Sequence, residues 1–162
     1  MSGIKIKSLK QIQVIAASLR KAGKKIVFTN GCFDILHYGH VMYLDKAKTN
    51  GDILIVGVNS DSSIKRIKGD LRPIINGYDR LRVVLGLKSV DYAFIFKENT
   101  PLNLIKSIKP DVLIKGADWS ENNIVGAEFV KSYGGKIKTI KLAKGRSTSN
   151  IINKIGKLYQ QQ

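Results

Sequence analysis

The stretch from Asp52 to Asn59, DILIVGVN, has no polar side chain between its ends. A strand with one wet face would alternate apolar and polar residues. An unbroken apolar run of this length marks a strand covered on both faces, as in a parallel sheet wrapped by helices. KIVFT before it, and YAFIF, VLIK and KIKTIKL after it, read as the other strands of a five-stranded set. Helical segments separate them. SLKQIQVIAASLRKAGKK places Leu9, Ile12, Ile15 and Leu19 on one face, with Ser8 and Gln11 as a capping box and Gly23 as a stop. His40 to Thr49 reads as a helix with Val41, Leu44, Ala47 and Lys48 inward.

The basic stretch SDSSIKRIKGDLRPIINGYD is broken by Gly and Pro and reads as part helix, part long loop. RLRVVLGLKSV follows as a helix. Thr100 and Pro101 read as N-cap and first turn of a helix carrying Leu104, Ile105 and Ile108. IVGAEFVKSYG and TSNIINKIGKLY are the last two helices. Parallel strands need such crossovers. The expected class is α/β: a single Rossmann-like, doubly wound, parallel five-stranded sheet with helices on both faces. Residues 1–162 are expected to form one domain, with an N-terminal helix in 1–23 and the core in 24–156.

Lysine and arginine total 28 against 12 acidic residues, a net charge of +16. This suits an anionic partner, but the lysines are spread along the chain rather than blocked, so a lysine-rich composition explains it equally well. No segment approaches the roughly 20 apolar residues of a membrane span, so no membrane partner is expected. One cysteine, Cys32, excludes an intramolecular disulfide framework and fits a reducing, cytoplasmic setting.

The chemistry concentrates in TNGCFDILHYGH, Thr29 to His40, which holds both histidines of the chain. It begins where the first strand ends, and ligands of open parallel sheets bind beyond the carboxyl ends of strands. Gly31 permits a tight path, Gly39 keeps the space between the imidazoles open, and the following helix offers free N–H groups to a phosphate. His37 and His40 can hold positive charge against a polyphosphate and stabilise a phosphoryl group in transfer. There is no GxxxxGK[ST] and no GxGxxG after the strand. Cys32, His37 and His40 are too few ligands for zinc, so no protein-held metal is expected. Cys32 reads as a small filler rather than a nucleophile.

GCFDILHYGH resembles the GxFDxxHxGH signature of the nucleotidyltransferase superfamily that includes the cytidylyltransferases. Within it, VNSDSSIKRIKGDLRP, TPLNLIKSIKPDVLIKGADW and GRSTSNII resemble the heptose 1-phosphate adenylyltransferase domains of bacterial ADP-heptose synthesis enzymes. The resemblance covers about residues 24–156. It implies AMP transfer from ATP to D-glycero-D-manno-heptose 1-phosphate, giving ADP-heptose and pyrophosphate for lipopolysaccharide or other surface-glycan synthesis. Mg²⁺ would bridge the phosphates.

By that resemblance His37 and His40 contact the triphosphate, and one of Lys65 and Lys68 reaches the phosphates. Thr29, Asn30, Gly31, Cys32, Phe33 and Gly39 shape the nucleotide loop. Arg80, Gly116, Asp118, Trp119, Ser147 and Thr148 join the nucleotide-binding set. Asp34 orders the loop beside the acceptor, and Arg72 contacts the sugar phosphate. The resemblance further implies a homodimer. Relatives carry a sugar kinase domain ahead of this one, whereas this chain starts one helix before the first strand, so a monofunctional transferase is the expectation. The ADW at 117–119 resembles the glycerol-phosphate cytidylyltransferase branch and leaves CTP with glycerol 3-phosphate as an alternative. A nucleic-acid-binding module is the reading from another class. It lacks a recognisable motif and leaves both histidines unexplained, so no nucleic-acid partner is expected.

Overall fold

The computed structural model describes residues 7–117 and 123–159. In chain order it contains α1 (Leu9–Lys21), β1 (Ile26–Gly31), α2 (Tyr38–Lys48), β2 (Ile53–Asn59), α3 (Asp61–Lys68) and α4 (Gly77–Leu85). There follow β3 (Tyr92–Phe96), α5 (Leu102–Ile108), β4 (Val112–Gly116), α6 (Ala127–Ser132), β5 (Lys136–Ile140) and α7 (Thr148–Tyr159). The strands form one five-stranded sheet in the order β3-β2-β1-β4-β5, every neighbouring pair parallel. This is the expected doubly wound, Rossmann-like α/β sheet.

Strand pleating divides the core in two. Leu54, Val56 and Val58 of β2 point to one face and pack with Val27, Leu44, Ala47, Leu81 and Val84, under α2 and α4. Ile55 points to the other face and packs with Ile26, Phe28, Ile12, Ala16, Leu104 and Ile108, under α1 and α5. Both faces are dry, which is why DILIVGVN needs no polar position.

Local signals hold with small shifts. The Ser8–Gln11 capping box is present at α1. The inner face of α1 runs through Ile12 and Ala16, while Ile15 is only half-buried. In α2 Tyr43 is buried and Val41 only half-buried, and the helix starts two residues earlier than expected, at Tyr38. Thr100 is not the cap of α5. Pro101 occupies the N-cap position, and no side chain bonds that helix end.

The sheet order reverses at β1, whose neighbours are β2 on one side and β4 on the other. Crossovers leave β1 in opposite directions, and a crevice opens at such a switch point. The registered β1–β4 pairs are Val27 with Val112 and Phe28 with Leu113. Further along, side chains do the bridging: Thr29 Oγ1 donates to Ile114 O at 3.0 Å, and Lys115 Nζ donates to Asn30 Oδ1.

Candidate active site

A cleft of about 430 Å³ lies at this switch point. Its floor is the end of β1 and the loop Asn30–Asp34; its walls come from α3, the loop after it, the end of β4, and residues 142–149 before and into α7. Two helix N-termini, those of α2 and α7, border it, so two positive dipole ends face one space.

His37 is the N-cap of α2, and its Nδ1 accepts from Gly39 N–H at 3.1 Å. In the neutral ring the proton therefore sits on Nε2, which is left as a donor. His40 stacks on His37 with ring centroids 3.9 Å apart and planes at 23°. Phe33 meets His40 edge-on at 5.4 Å. A Cβ on residue 39 would come within 2.9 Å of His37 Cε1, so glycine is what lets the two rings share this corner. His40 Nδ1 is buried and has no hydrogen-bond partner among the described residues.

Burial pushes the His40 pKa down to about 4, with the neighbouring His37 acting the same way and Asp34 opposing. Burial and the Arg146 guanidinium lower that of His37. Both rings are therefore neutral in the free protein at neutral pH, and an added polyanion would favour their charged forms. The sign for stability follows. Unfolded histidine titrates near 6.5, so between pH 6.5 and 4 the unfolded chain binds protons that folded His40 refuses, and stability falls as pH falls. Urea unfolding at pH 7 and pH 4.5 should show this loss, and His40→Asn should show a smaller one. An equal loss in both proteins would refute the assignment.

Asp34 is 1 % exposed and saturated: its carboxylate accepts from Ile74 N–H, Ile75 N–H and Arg72 Nε, the last at 2.7 Å. Burial raises its pKa, but these donors outweigh burial and hold it below the ordinary value. It pins the loop after α3 against the loop that follows β1. Phe33 and Ile35 flank it in left-handed backbone, φ 47° and 36°, a conformation costly for a β-branched residue. Arg80 helps hold it there. It is 1 % exposed and donates to Ile75 O, Cys32 O, Asn59 O and Asp61 Oδ1.

Arg80 and Thr29, both expected among the nucleotide ligands, thus lie beneath the cleft rather than in its lining. The Arg80 guanidinium is committed to protein acceptors. Thr29 is fully buried, donating to Ile114 O and paired with the Tyr43 hydroxyl at 2.7 Å. Asn30, Gly31, Cys32, Phe33, Asp34, His37, Gly39 and His40 line the cleft, as do Lys68, Arg72, Gly116, Ser147 and Thr148. Burial raises the Cys32 thiol pKa against the pull of Lys68, Arg80 and Arg72, which suits a filler and not a thiolate nucleophile. Ser147 Oγ caps α7 through Asn150 N–H, and Thr148 Oγ1 donates to Asp34 O at 2.6 Å. Asp118 and Trp119 lie outside the described residues.

The two candidate lysines separate. Lys68, at the end of α3, lines the cleft; Lys65, one turn earlier, is exposed and does not. Lys68→Ala should cut turnover about tenfold or more, as loss of one charge-assisted phosphate contact does, and Lys65→Ala should change it by less than about twofold. Steady-state kinetics on both variants checks this; the reverse order would remove α3 from the site as assigned. Sequence reasoning missed Tyr43, Lys115 and Arg146 in the cleft. The available signals were a lysine at the carboxyl end of a buried strand, and an arginine just before a helix start.

A family model described as cytidylyltransferase-like matches residues 28–154. The chain belongs to the cytidylyltransferase-like family. This cytidylyltransferase-like chain is 48% identical over 161 residues to the bifunctional protein HldE of Geobacter metallireducens, covering 99% of this chain and 33% of that protein. The bifunctional protein HldE of Wolinella succinogenes is 54% identical over 151 residues, 93% of this chain and 31% of that one. The chain thus spans about a third of the length of these curated relatives. Among solved structures, the lipopolysaccharide core biosynthesis protein from Thermoplasma volcanium aligns with TM-score 0.60 and 33% identity, over 76% of this chain and all of that one. A pantoate-beta-alanine ligase from Francisella tularensis aligns with TM-score 0.61 at 19% identity, over 99% of this chain and 80% of that one, a likeness of fold alone.

Proposed function

We propose that this domain transfers AMP from ATP to D-glycero-D-manno-heptose 1-phosphate. The observation that carries the reading is the stacked pair His37–His40 in a cleft bordered by two helix N-termini and several cations, whose carboxylate, Asp34, is already saturated. Such a site favours a polyphosphate and offers donors to charge that develops on phosphorus. An oxygen of the acceptor phosphate attacks the α-phosphorus. That bond forms as the bond from the α-phosphorus to the bridging oxygen breaks, and pyrophosphate leaves with the electron pair. His37 Nε2–H and the His40 ring stabilise the charge, while Lys68 and Arg72 orient the phosphates.

Among the described residues no group of three or more His, Cys, Asp or Glu could hold a metal. In this reading Mg²⁺ enters as part of the nucleotide substrate, bound to its phosphates. No helix among the described residues is long and apolar enough to cross a membrane. The proposal includes a cytoplasmic setting, where ATP is supplied, and a homodimer, which light scattering on the purified chain tests.

The heptose acceptor is supported by the strings shared with the ADP-heptose branch and by kinship to the bifunctional HldE proteins and the lipopolysaccharide core biosynthesis protein. The deciding experiment is pyrophosphate release with Mg²⁺, offering ATP, CTP and GTP in turn against the heptose 1-phosphate and glycerol 3-phosphate. Turnover with ATP and the heptose phosphate alone is the expected result. Turnover with CTP and glycerol 3-phosphate would overturn both the base and the acceptor, and silence in every combination would overturn the activity.

A further inference from the structure

Backbone pairing between β1 and β4 stops at Phe28–Leu113, while pairing between β1 and β2 runs on to Gly31–Val58. Where the backbone ladder stops, side chains tie β1 and β4 to α2. Thr29, fully buried on β1, donates from Oγ1 to Ile114 O on β4 at 3.0 Å. The same Oγ1 lies 2.7 Å from the Tyr43 hydroxyl on α2. A threonine hydroxyl carries one proton, and a carbonyl oxygen can only accept. The Thr29 proton is committed to Ile114 O, so Tyr43 is the donor in the second bond. The chain therefore runs in one direction, from Tyr43 through Thr29 to Ile114 O, and it joins three elements beneath the cleft.

Tyr43 stands three residues after His40 on α2, so the two side chains leave the same side of the helix. Its ring is 7 % exposed and borders the cleft. Phe33, which meets His40 edge-on, belongs to the same buried cluster as Tyr43. His40 Nδ1 is buried without a hydrogen-bond partner among the described residues, so that atom does not anchor the ring. The place of the imidazole is set by what packs on it and by the turn of helix that carries it. We propose that Tyr43 is a positioning residue: its hydroxyl fixes the first turns of α2 on β1 through Thr29 and so holds the His40 ring in register with the reacting phosphorus. The inference rests on the nucleotidyl-transfer reading above and adds to it a residue that acts through His40. A neutral phenol does this without placing a charge beside two imidazoles that are themselves neutral in the free protein.

The test compares the wild-type chain with Tyr43→Phe, Thr29→Val and the double variant, each substitution keeping the shape of the side chain and removing one hydroxyl. Tyr43→Phe should lower kcat about tenfold and leave KM within about twofold, because a small displacement of the imidazole weakens a contact made in the transition state more than it weakens substrate binding. Thr29→Val should act in the same sense. The double variant should be no slower than the slower single one, since both hydroxyls belong to one chain. NMR titration should show the His40 pKa rising from its burial-depressed value in Tyr43→Phe as the ring loosens and hydrates, a readout that needs no substrate. A lowered melt with wild-type kcat and an unmoved His40 titration would make the bond structural only; it would overturn the inference and leave the transferase reading intact. Losses that multiply in the double variant would overturn the single chain through Thr29. A wild type that does not turn over would overturn the transferase reading, and the histidine titration alone would then decide whether Tyr43 positions His40.

Discussion

His40→Ala should lower turnover by about 10² or more and leave the fold in place. The loss is that expected for one donor acting on charge that exists only in the transition state. The ring sits between His37 and Phe33, at centroid distances of 3.9 and 5.4 Å, so its position is set by packing before substrate arrives. Preorganisation of this kind matters more to the rate than to binding. The structural cost of the deletion is small by the same geometry. His40 is only half-buried, and its Nδ1 already lacks a partner, so no satisfied hydrogen bond from that atom is broken. Pyrophosphate release measures the first half of the expectation, and a thermal melt within a few degrees of wild type measures the second. Near-normal turnover in a well-folded His40→Ala would remove the imidazole pair from the mechanism.

Arg80→Met should be among the most destabilising single changes in the chain. Methionine keeps much of the apolar stem and loses the guanidinium. Three main-chain acceptors, Cys32 O, Asn59 O and Ile75 O, would then lose their donor at a site that is 1 % exposed. An orphaned buried acceptor costs about 1–3 kcal/mol; Asn59 O is fully buried, while Cys32 O and Ile75 O are part-buried and fall at the low end, so a total of about 3–5 kcal/mol is expected. Asp61 softens the loss, because its side chain is 45% exposed and can rehydrate. For a domain of this size the melt should fall by about 10 °C. The folded fraction should also turn over more slowly, since Arg80 ties the cleft-lining loop at Cys32 to the loop at Ile75 and to the start of α3. Arg80→Lys should not rescue it, because one ammonium cannot span four acceptors in three directions. Chemical denaturation decides the matter, and a loss under about 1 kcal/mol would mean that the network contributes little.

The contrast between these two residues explains how far the sequence could be read. The histidine loop was legible because its parts are local: both imidazoles, Gly31 and Gly39 lie within a dozen residues at a strand end, and their spacing carries the chemistry. The strands were legible for the same reason, since DILIVGVN announces two dry faces without reference to anything distant. The burial of Arg80 was not legible because nothing near it in the chain says whether an arginine is solvated, on a ligand or buried. Its acceptors come from residues 32, 59, 61 and 75. Lys65 and Lys68 differ by less than one helical turn in rotation, and the orientation of α3 against the cleft is what separates them.

The sequence by itself determined the class of sheet, the order of its helices and strands, and the corner where phosphate chemistry would sit. These follow from hydrophobic period and from short-range backbone geometry, which neighbouring residues specify. Only the tertiary structure decided which cations reach that corner. Lys115 and Arg146 enter from β4 and from the approach to α7, more than seventy residues after the histidines. They meet the loop because the sheet order places β4 beside β1, a pairing that depends on long-range burial and cannot be seen in any window of the chain.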